Sequence, residues 1–279
     1  MVWNSKLKMA LVAAIAAIAA AWVLAVPASA QTSGEYWQQI QKNGVLRCGV
    51  AEAPPHVIRD PQTGTYSGTF VDLCREFAEK ELGVKAEMVD PTWDNMVAGL
   101  QAGRWDLALA LNQNPKRAMA IAFSEPAWQF QITIVYDKAN PKMQPAPKSL
   151  ADVDKDGVTL AIVAGTAQDQ TISGLIKHAT IVRLPDVDAT RLAVSTHRAD
   201  ALADDGDTDA LFVATNPARF AALAPSPAIT KQGIAFGMRR DASWADVQAL
   251  NFFIEEKAAT GEIQRIGQSY IDKLAKPQQ

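Results

Sequence analysis

The chain has 279 residues, 48% of them hydrophobic and 20% charged, with a formal net charge of −3. That length and composition suit one large or two ordinary globular domains. A slightly acidic balance with no clustered basic excess excludes a nucleic-acid-binding surface.

The first thirty residues read as a secretory leader rather than as part of the fold. Lys6 and Lys8 form a positive start, residues 9–26 are an apolar run rich in Ala and Val, and Ala28-Ser29-Ala30 supplies the small residues of a cleavage site. Cleavage is expected after Ala30, which makes the mature chain two charges more acidic and places it in the periplasm. A retained membrane anchor is the competing reading, because the apolar run is nearly long enough to span a bilayer. No Cys follows the site, so a lipid anchor is not expected.

Beyond the leader, strands and helices alternate. The pattern predicts a strand over 46–50 and a helix over 71–82, with Asp72 in its first turn and Gly83 just past its end. A strand over 85–89, a helix over 93–102 stopped by Gly103, and a strand over 107–111 follow. The order β-α-β-α-β is that of a parallel sheet covered by helices. It restarts with a strand over 158–163 and a helix from Gly165-Thr166 to about 177. A strand over 180–184, a helix over 187–195, a short strand over 201–203 and a helix near 208–213 complete the second unit. Two apolar, β-rich segments, 131–136 and 232–238, have the character of crossings between the units. The tail from Trp244 carries apolar residues at helical spacing and is expected to return to the first unit.

The fold class expected is therefore α/β, with two lobes joined by a two-stranded hinge: 31–131 and 235–279 in lobe 1, and 132–234 in lobe 2. Ligands of open α/β sheets sit outside the carboxyl ends of the strands, so both lobes aim those ends into a shared cleft. Cys48 falls on the first strand and Cys74 on the first helix. They can form a disulfide in an oxidising compartment or remain two buried thiols, and the sequence leaves both open. Two cysteines so far apart, and His56, His178 and His197 without a ligand partner at i+4, do not make a metal site. No cofactor motif is present.

Several stretches in order carry a resemblance. They are GVLRCGV (44–50), PQTGTYSG (61–68) with VDL (71–73), LQAGRWD (100–106), and KR (116–117) with AFSEP (122–126). SLAD (149–152), VAGT (163–166) and GEI (261–263) continue the series. Together they resemble bacterial extracellular solute-binding proteins of family 3, the periplasmic receptors of polar amino-acid ABC transporters. The resemblance implies a type II periplasmic binding protein fold, a monomeric receptor, a small-molecule amino-acid ligand, and a membrane permease with its ATPase as partners.

It also implies site residues. Arg117 holds the position of an arginine that binds the ligand carboxylate, for which a planar guanidinium fork is suited. Asn112 stands where Ser or Thr is usual, beside the carboxylate and ammonium. Ala110 would offer a backbone carbonyl to the ammonium. In lobe 2, Thr166, Ala167 and Gln168 open a helix whose N–H groups favour a carboxylate, although Ala167 lacks the hydroxyl often found there. The acid for the ammonium counts to Asp205, five residues after the Asp of HRADA (197–201), with Asp204 as its neighbour.

The side-chain pocket departs from the family. Glu52-Ala53-Pro54-Pro55-His56 is one residue shorter than the pattern, and Ala53 replaces an aromatic ring. Trp93 is expected either to stack on the substrate or to pack in the core. Glu52 is a selector for a basic side chain or a solvated acid, and Trp128 is structural. Two other solutes or activities compete. One is a receptor for an opine, an amino-acid derivative or a dicarboxylate. The other is a cyclohexadienyl dehydratase-like enzyme, for which Glu52 is the candidate general acid; a non-enzymatic receptor is expected.

Overall fold

The structure, a computed structural model, describes residues 35–275. The leader and its cleavage site after Ala30 lie outside the described residues. Among those described, no helix is long and apolar enough to cross a membrane.

Helix α1 (Glu35–Asn43) precedes β1 (Val45–Gly49). A hairpin of β2 (Ile58–Arg59) and β3 (Tyr66–Ser67) leads into α2 (Thr69–Glu76). Phe70, Leu73, Cys74, Phe77 and Ala78 are all buried. Their i, i+3, i+4 spacing puts them on one face of α2 and of the π-helical turn Phe77–Leu82 that prolongs it. Gly83, at φ 68°, ends the run in the left-handed conformation that glycine adopts without steric cost. Then come β4 (Lys85–Val89), α3 (Met96–Gln101), β5 (Leu107–Asn112), the single turn α4 (Pro115–Ala118) and β6 (Ala122–Phe123).

The long strand β7 (Trp128–Asp137) crosses to the second unit. There β8 (Thr159–Val163), α5 (Ala167–Leu175), β9 (Thr180–Leu184), α6 (Val187–Ser195), β10 (Ala201–Asp205) and α7 (Gly206–Thr215) alternate. After β11 (Phe220–Leu223), strand β12 (Lys231–Met238) returns, and α8 (Trp244–Ala259) and α9 (Glu262–Leu274) close the chain.

The strand order is β4-β1-β5-β12-β7-β10-β8-β9, with β11 also on β7 and β6 also on β12. Each half is mainly parallel: β4, β1 and β5 in one, β10, β8 and β9 in the other. Among the described residues the sheet passes from one half to the other through antiparallel β12 and β7, paired from Lys231↔Gln131 to Ile234↔Trp128. This is the two-lobed α/β architecture of type II binding proteins. All six residues of β5 are buried, as expected of a strand covered on both faces. The C-terminal helices pack on the first half. Trp37 Nε1 donates to Asp246 O at 2.7 Å, Tyr270 to Asp72 at 2.6 Å, and Lys257 pairs with Glu76 at 2.6 Å. Cys48 of β1 and Cys74 of α2 are joined in a disulfide, with Cα atoms 7.2 Å apart.

Several features differ from the sequence reading. Helix α1, the β2–β3 hairpin and strands β6 and β11 were not signalled by it. Strand β10 runs two residues further, through Asp204 and Asp205. Aspartate is a poor strand former, but pairing to Thr133 and Ile132 of β7 carries the ladder to the end.

Candidate ligand-binding site

The C-terminal ends of β1, β5, β8 and β10 converge where the lobes meet. On the lobe 1 side, Asn114 caps the short α4: its Oδ1 accepts from Arg117 N at 2.8 Å, and Pro115 takes the first helical position. This turn folds Arg117 back over the end of β5. The guanidinium is buried, and it donates to Asn112 O at 3.2 Å and across the interface to Gly165 O at 3.3 Å. Among the described residues no carboxylate lies within ion-pair distance of it. Burial lowers its pKa to about 10. A guanidinium has five N–H donors, so two carbonyls leave it under-used.

On the lobe 2 side, Thr166 caps α5. Its hydroxyl accepts from Asp169 N at 3.1 Å and donates to Val163 O at 2.8 Å. That hydroxyl is therefore engaged in the cap, and the N–H groups of the first turn are what the helix offers. At the end of β10, Asp204 Oδ1 accepts from Gln168 Nε2 at 2.5 Å and from Asp205 N at 2.8 Å. Asp205 caps α7, accepting from Asp207 N at 2.8 Å. Both aspartates are buried with no cation within ion-pair distance among the described residues. Burial raises both pKa values, that of Asp205 well above the ordinary carboxylate range, with the charges of Asp207 and Asp204 adding to it.

Seven of the sequence-predicted residues line one cavity: Glu52, Trp93, Asn112, Thr166, Ala167, Gln168 and Asp205, with Asp204 beside them. Arg117 and Ala110 do not line it. Arg117 faces a neighbouring recess with Trp93, Asp94 and Gly165. Ala110 lies in an irregularity of the β5–β12 ladder at φ 55°, a conformation that L-residues adopt at a cost. Trp93 lines the cavity and packs, half-buried, against the apolar cluster around Met96 and Leu100, and its indole N–H donates to Glu52 O at 3.2 Å, tying helix start to loop. Glu52 is half-buried, and burial raises its pKa, helped by the charge of Asp188.

The sequence reading missed His56, Phe130, Ile234 and Thr208 as lining residues. Phe130 and Ile234 come from the hinge strands; Ile234 lay in a segment read only as a crossing, and Phe130 just before the other. His56 had one usable signal, a polar ring inside the otherwise apolar run 53–57.

The lobes are closed on each other. Thr208 Oγ1 donates to Pro54 O at 2.6 Å, and Asp94 presses on Gly165 so closely that a Cβ there would stand 2.2 Å from its Oδ1. The cavity left between them measures about 30 Å³, room for about one water molecule. An amino acid fits there only if the lobes part.

Two α/β lobes closed over a charged cavity at their strand ends define a two-lobed solute-binding protein. The sequence model of the bacterial extracellular solute-binding proteins, family 3, matches residues 46–273, and the chain belongs to that family. It is 29% identical over 253 residues to the putative amino-acid ABC transporter-binding protein YhdW of Escherichia coli K12, covering 86% of this chain and 71% of the relative. It is 28% identical over 181 residues to cyclohexadienyl dehydratase of Pseudomonas aeruginosa, covering 63% of each. Among solved structures, an ancestral amino acid-binding protein, a precursor of cyclohexadienyl dehydratase, superposes with a TM-score of 0.74 at 27% identity, covering 84% of this chain and 99% of that one.

Proposed function

We propose that the protein is a periplasmic receptor that captures a polar α-amino acid between its lobes and delivers it to the permease of an ABC importer. The observation that carries this reading is a pair of complementary buried charges. Among the described residues, Arg117 on one lobe has no acid within ion-pair distance, and Asp204 and Asp205 on the other have no cation. An α-carboxylate in the Arg117 recess and an α-ammonium in the cavity that adjoins it at Trp93 supply both missing partners. Lobe 1 comprises 31–131 and 235–279, and lobe 2 132–234, so each charge belongs to a different lobe. A zwitterion that docks on one lobe gains its second set of contacts only on closure, and its binding shifts the population toward the closed form. The closed face is what a permease reads. The chain works as a monomer after export and cleavage at Ala30, with Asn112, the Ala110 carbonyl and the first turn of α5 completing the ligand's hydrogen bonds.

A second reading is kept because Glu52, a half-buried carboxyl with a raised pKa, lines the same cavity. That is what a general acid requires, and a dehydratase is among the relatives. The receptor reading is favoured because a prephenate-like acid carries no ammonium to meet Asp205.

The test is thermal unfolding of residues 31–279, refolded to remove bound solute, against the twenty amino acids, opines, dicarboxylates and prephenate. Ligand at about a thousand times its dissociation constant adds roughly 4 kcal/mol, a melting shift on the order of 10 °C. The expected result is such a shift with one or a few α-amino acids, lost in Arg117→Ala. A shift with prephenate alone, accompanied by its turnover and abolished in Glu52→Gln, would favour the enzyme.

A further inference from the structure

His56 is 2% exposed, and neither of its ring nitrogens has a hydrogen-bond partner among the described residues. Its ring meets Phe70 and Trp128 edge-on, at centroid distances of 5.6 and 5.4 Å, and it lines the interlobe cavity. Asn112 Nδ2, on the same lining, is likewise buried and unpartnered. Buried polar groups are almost always hydrogen-bonded, and leaving one unpaired is costly. A site that needed only a ring between Phe70 and Trp128 would be filled by Phe without that cost. His56 and Asn112 both border the interlobe cavity, whose lining mixes apolar Phe130, Val187 and Ile234 with Thr208 and the acids Glu52, Asp204 and Asp205. That is the chemistry of a pocket for an aliphatic stem with a polar end.

We propose that His56 reads the end of the ligand's side chain, and that this end is an uncharged or cationic hydrogen-bonding group. The inference rests on the receptor reading above. A neutral imidazole offers one donor and one acceptor, so an amide, hydroxyl, imidazole or guanidinium end can satisfy it. An aliphatic end leaves both ring nitrogens orphaned. An anionic end is excluded by charge, because Glu52, Asp204 and Asp205 already line the cavity. Burial also holds the imidazole neutral, with its pKa lowered to about 3. His56 cannot offset a ligand carboxylate by becoming charged at neutral pH.

The experiment measures dissociation constants for the twenty amino acids in the wild type, Arg117→Ala, His56→Phe and His56→Gln. The readout is the ratio between the tightest polar, non-anionic ligand and methionine. The wild type is expected to favour the polar ligand over both methionine and glutamate. His56→Phe keeps the ring packing, so it should melt higher than wild type when ligand-free and lose at least about tenfold of the ratio. His56→Gln should retain part of it, as a purely structural role would not require. If His56→Phe does not fold, ring nitrogen shifts of labelled His56 in the wild type replace it, and they should move on addition of the tightest ligand. An unchanged ratio in His56→Phe, unmoved shifts, or a preference for glutamate or methionine would overturn the proposal while leaving the amino-acid receptor intact. If no amino acid binds the wild type, both readings fail together.

Discussion

Two pairs of buried aspartates in this molecule are treated in opposite ways. Asp106 and Asp137 lie inside the lobes, and each has its cation. Asp106 accepts from Arg47 Nη2 at 2.7 Å, and Asp137 accepts from Arg219 Nε at 2.7 Å and from Ala139 N at 2.8 Å. Burial alone would raise the pKa of Asp137, but the Arg219 and Ala139 hydrogen bonds outweigh it and hold the carboxyl below its ordinary range. Asp204 and Asp205, equally buried at the cleft, accept only from an amide side chain and from backbone N–H groups, and their pKa values rise. The contrast separates carboxyls compensated within the chain from carboxyls left without a cation among the described residues. Asp209, equally buried and away from the cavity, belongs to the second kind, so the missing cation alone does not mark a ligand contact; for Asp204 and Asp205 the place on the cavity wall adds that meaning.

The largest expected effect breaks the comparison on the cleft side. Asp205→Asn keeps a side-chain oxygen able to cap α7 and removes the group that meets the ammonium. Amino-acid affinity should fall by roughly 30-fold or more, because one partner of a buried charge pair is gone. The ligand-free protein should meanwhile melt higher. Isothermal titration and thermal unfolding on the same variant measure both. Unchanged affinity would remove Asp205 from the ligand's contacts and leave Asp204 as the acid. On the other side, Arg219→Ala strands Asp137 and should cost about 2–3 kcal/mol of stability, read from denaturant unfolding. Ligand selectivity should not move, since neither residue lines the cavity. A change in selectivity would mean that the two aspartate pairs are not independent.

How much of this contrast was legible beforehand follows from what each residue depends on. The strand and helix pattern was readable because hydrophobic periodicity is local: β4, β9 and α6 fall on their expected ranges. Asp205 was reached by counting from a motif. That its strand extends to it was not, because the extension depends on β7, some seventy residues earlier. Arg117 could be placed at the cleft by resemblance. Its contact with Gly165 of the other lobe could not, since no local pattern encodes the approach of two lobes. His56 was read as a histidine without a metal partner, at the end of the shortened pocket segment 52–56, with no role of its own. Its burial between Phe70 and Trp128 requires three segments far apart in sequence to meet, and no count along the chain gives that.

The smallest expected effect sharpens the comparison through pH. A carboxyl whose folded pKa is raised binds its proton more tightly folded than unfolded. Stability it contributes is therefore present at acid pH and lost as pH rises from about 4 toward the raised value. Asp204 and Asp205 act in this direction, as does Asp209, buried against Thr133 at 2.5 Å with its pKa raised by burial and by the Asp204 charge. Asp137 acts oppositely. Its stabilisation is full above about 4 and lost as pH falls toward its lowered pKa. His56, held neutral by burial with its pKa lowered to about 3, acts against the cleft carboxyls over the same range, because its protonation favours the unfolded chain. The comparison is therefore between variants: a saturating amino acid, which pairs the cleft carboxylates, and Asp205→Asn, which removes one, should each reduce the loss of melting temperature with rising pH relative to the ligand-free wild type. Arg219→Ala should increase that loss, because burial then raises the Asp137 carboxyl. An Asp205→Asn profile indistinguishable from the ligand-free wild type would mean that the cleft carboxylates are compensated within the chain after all.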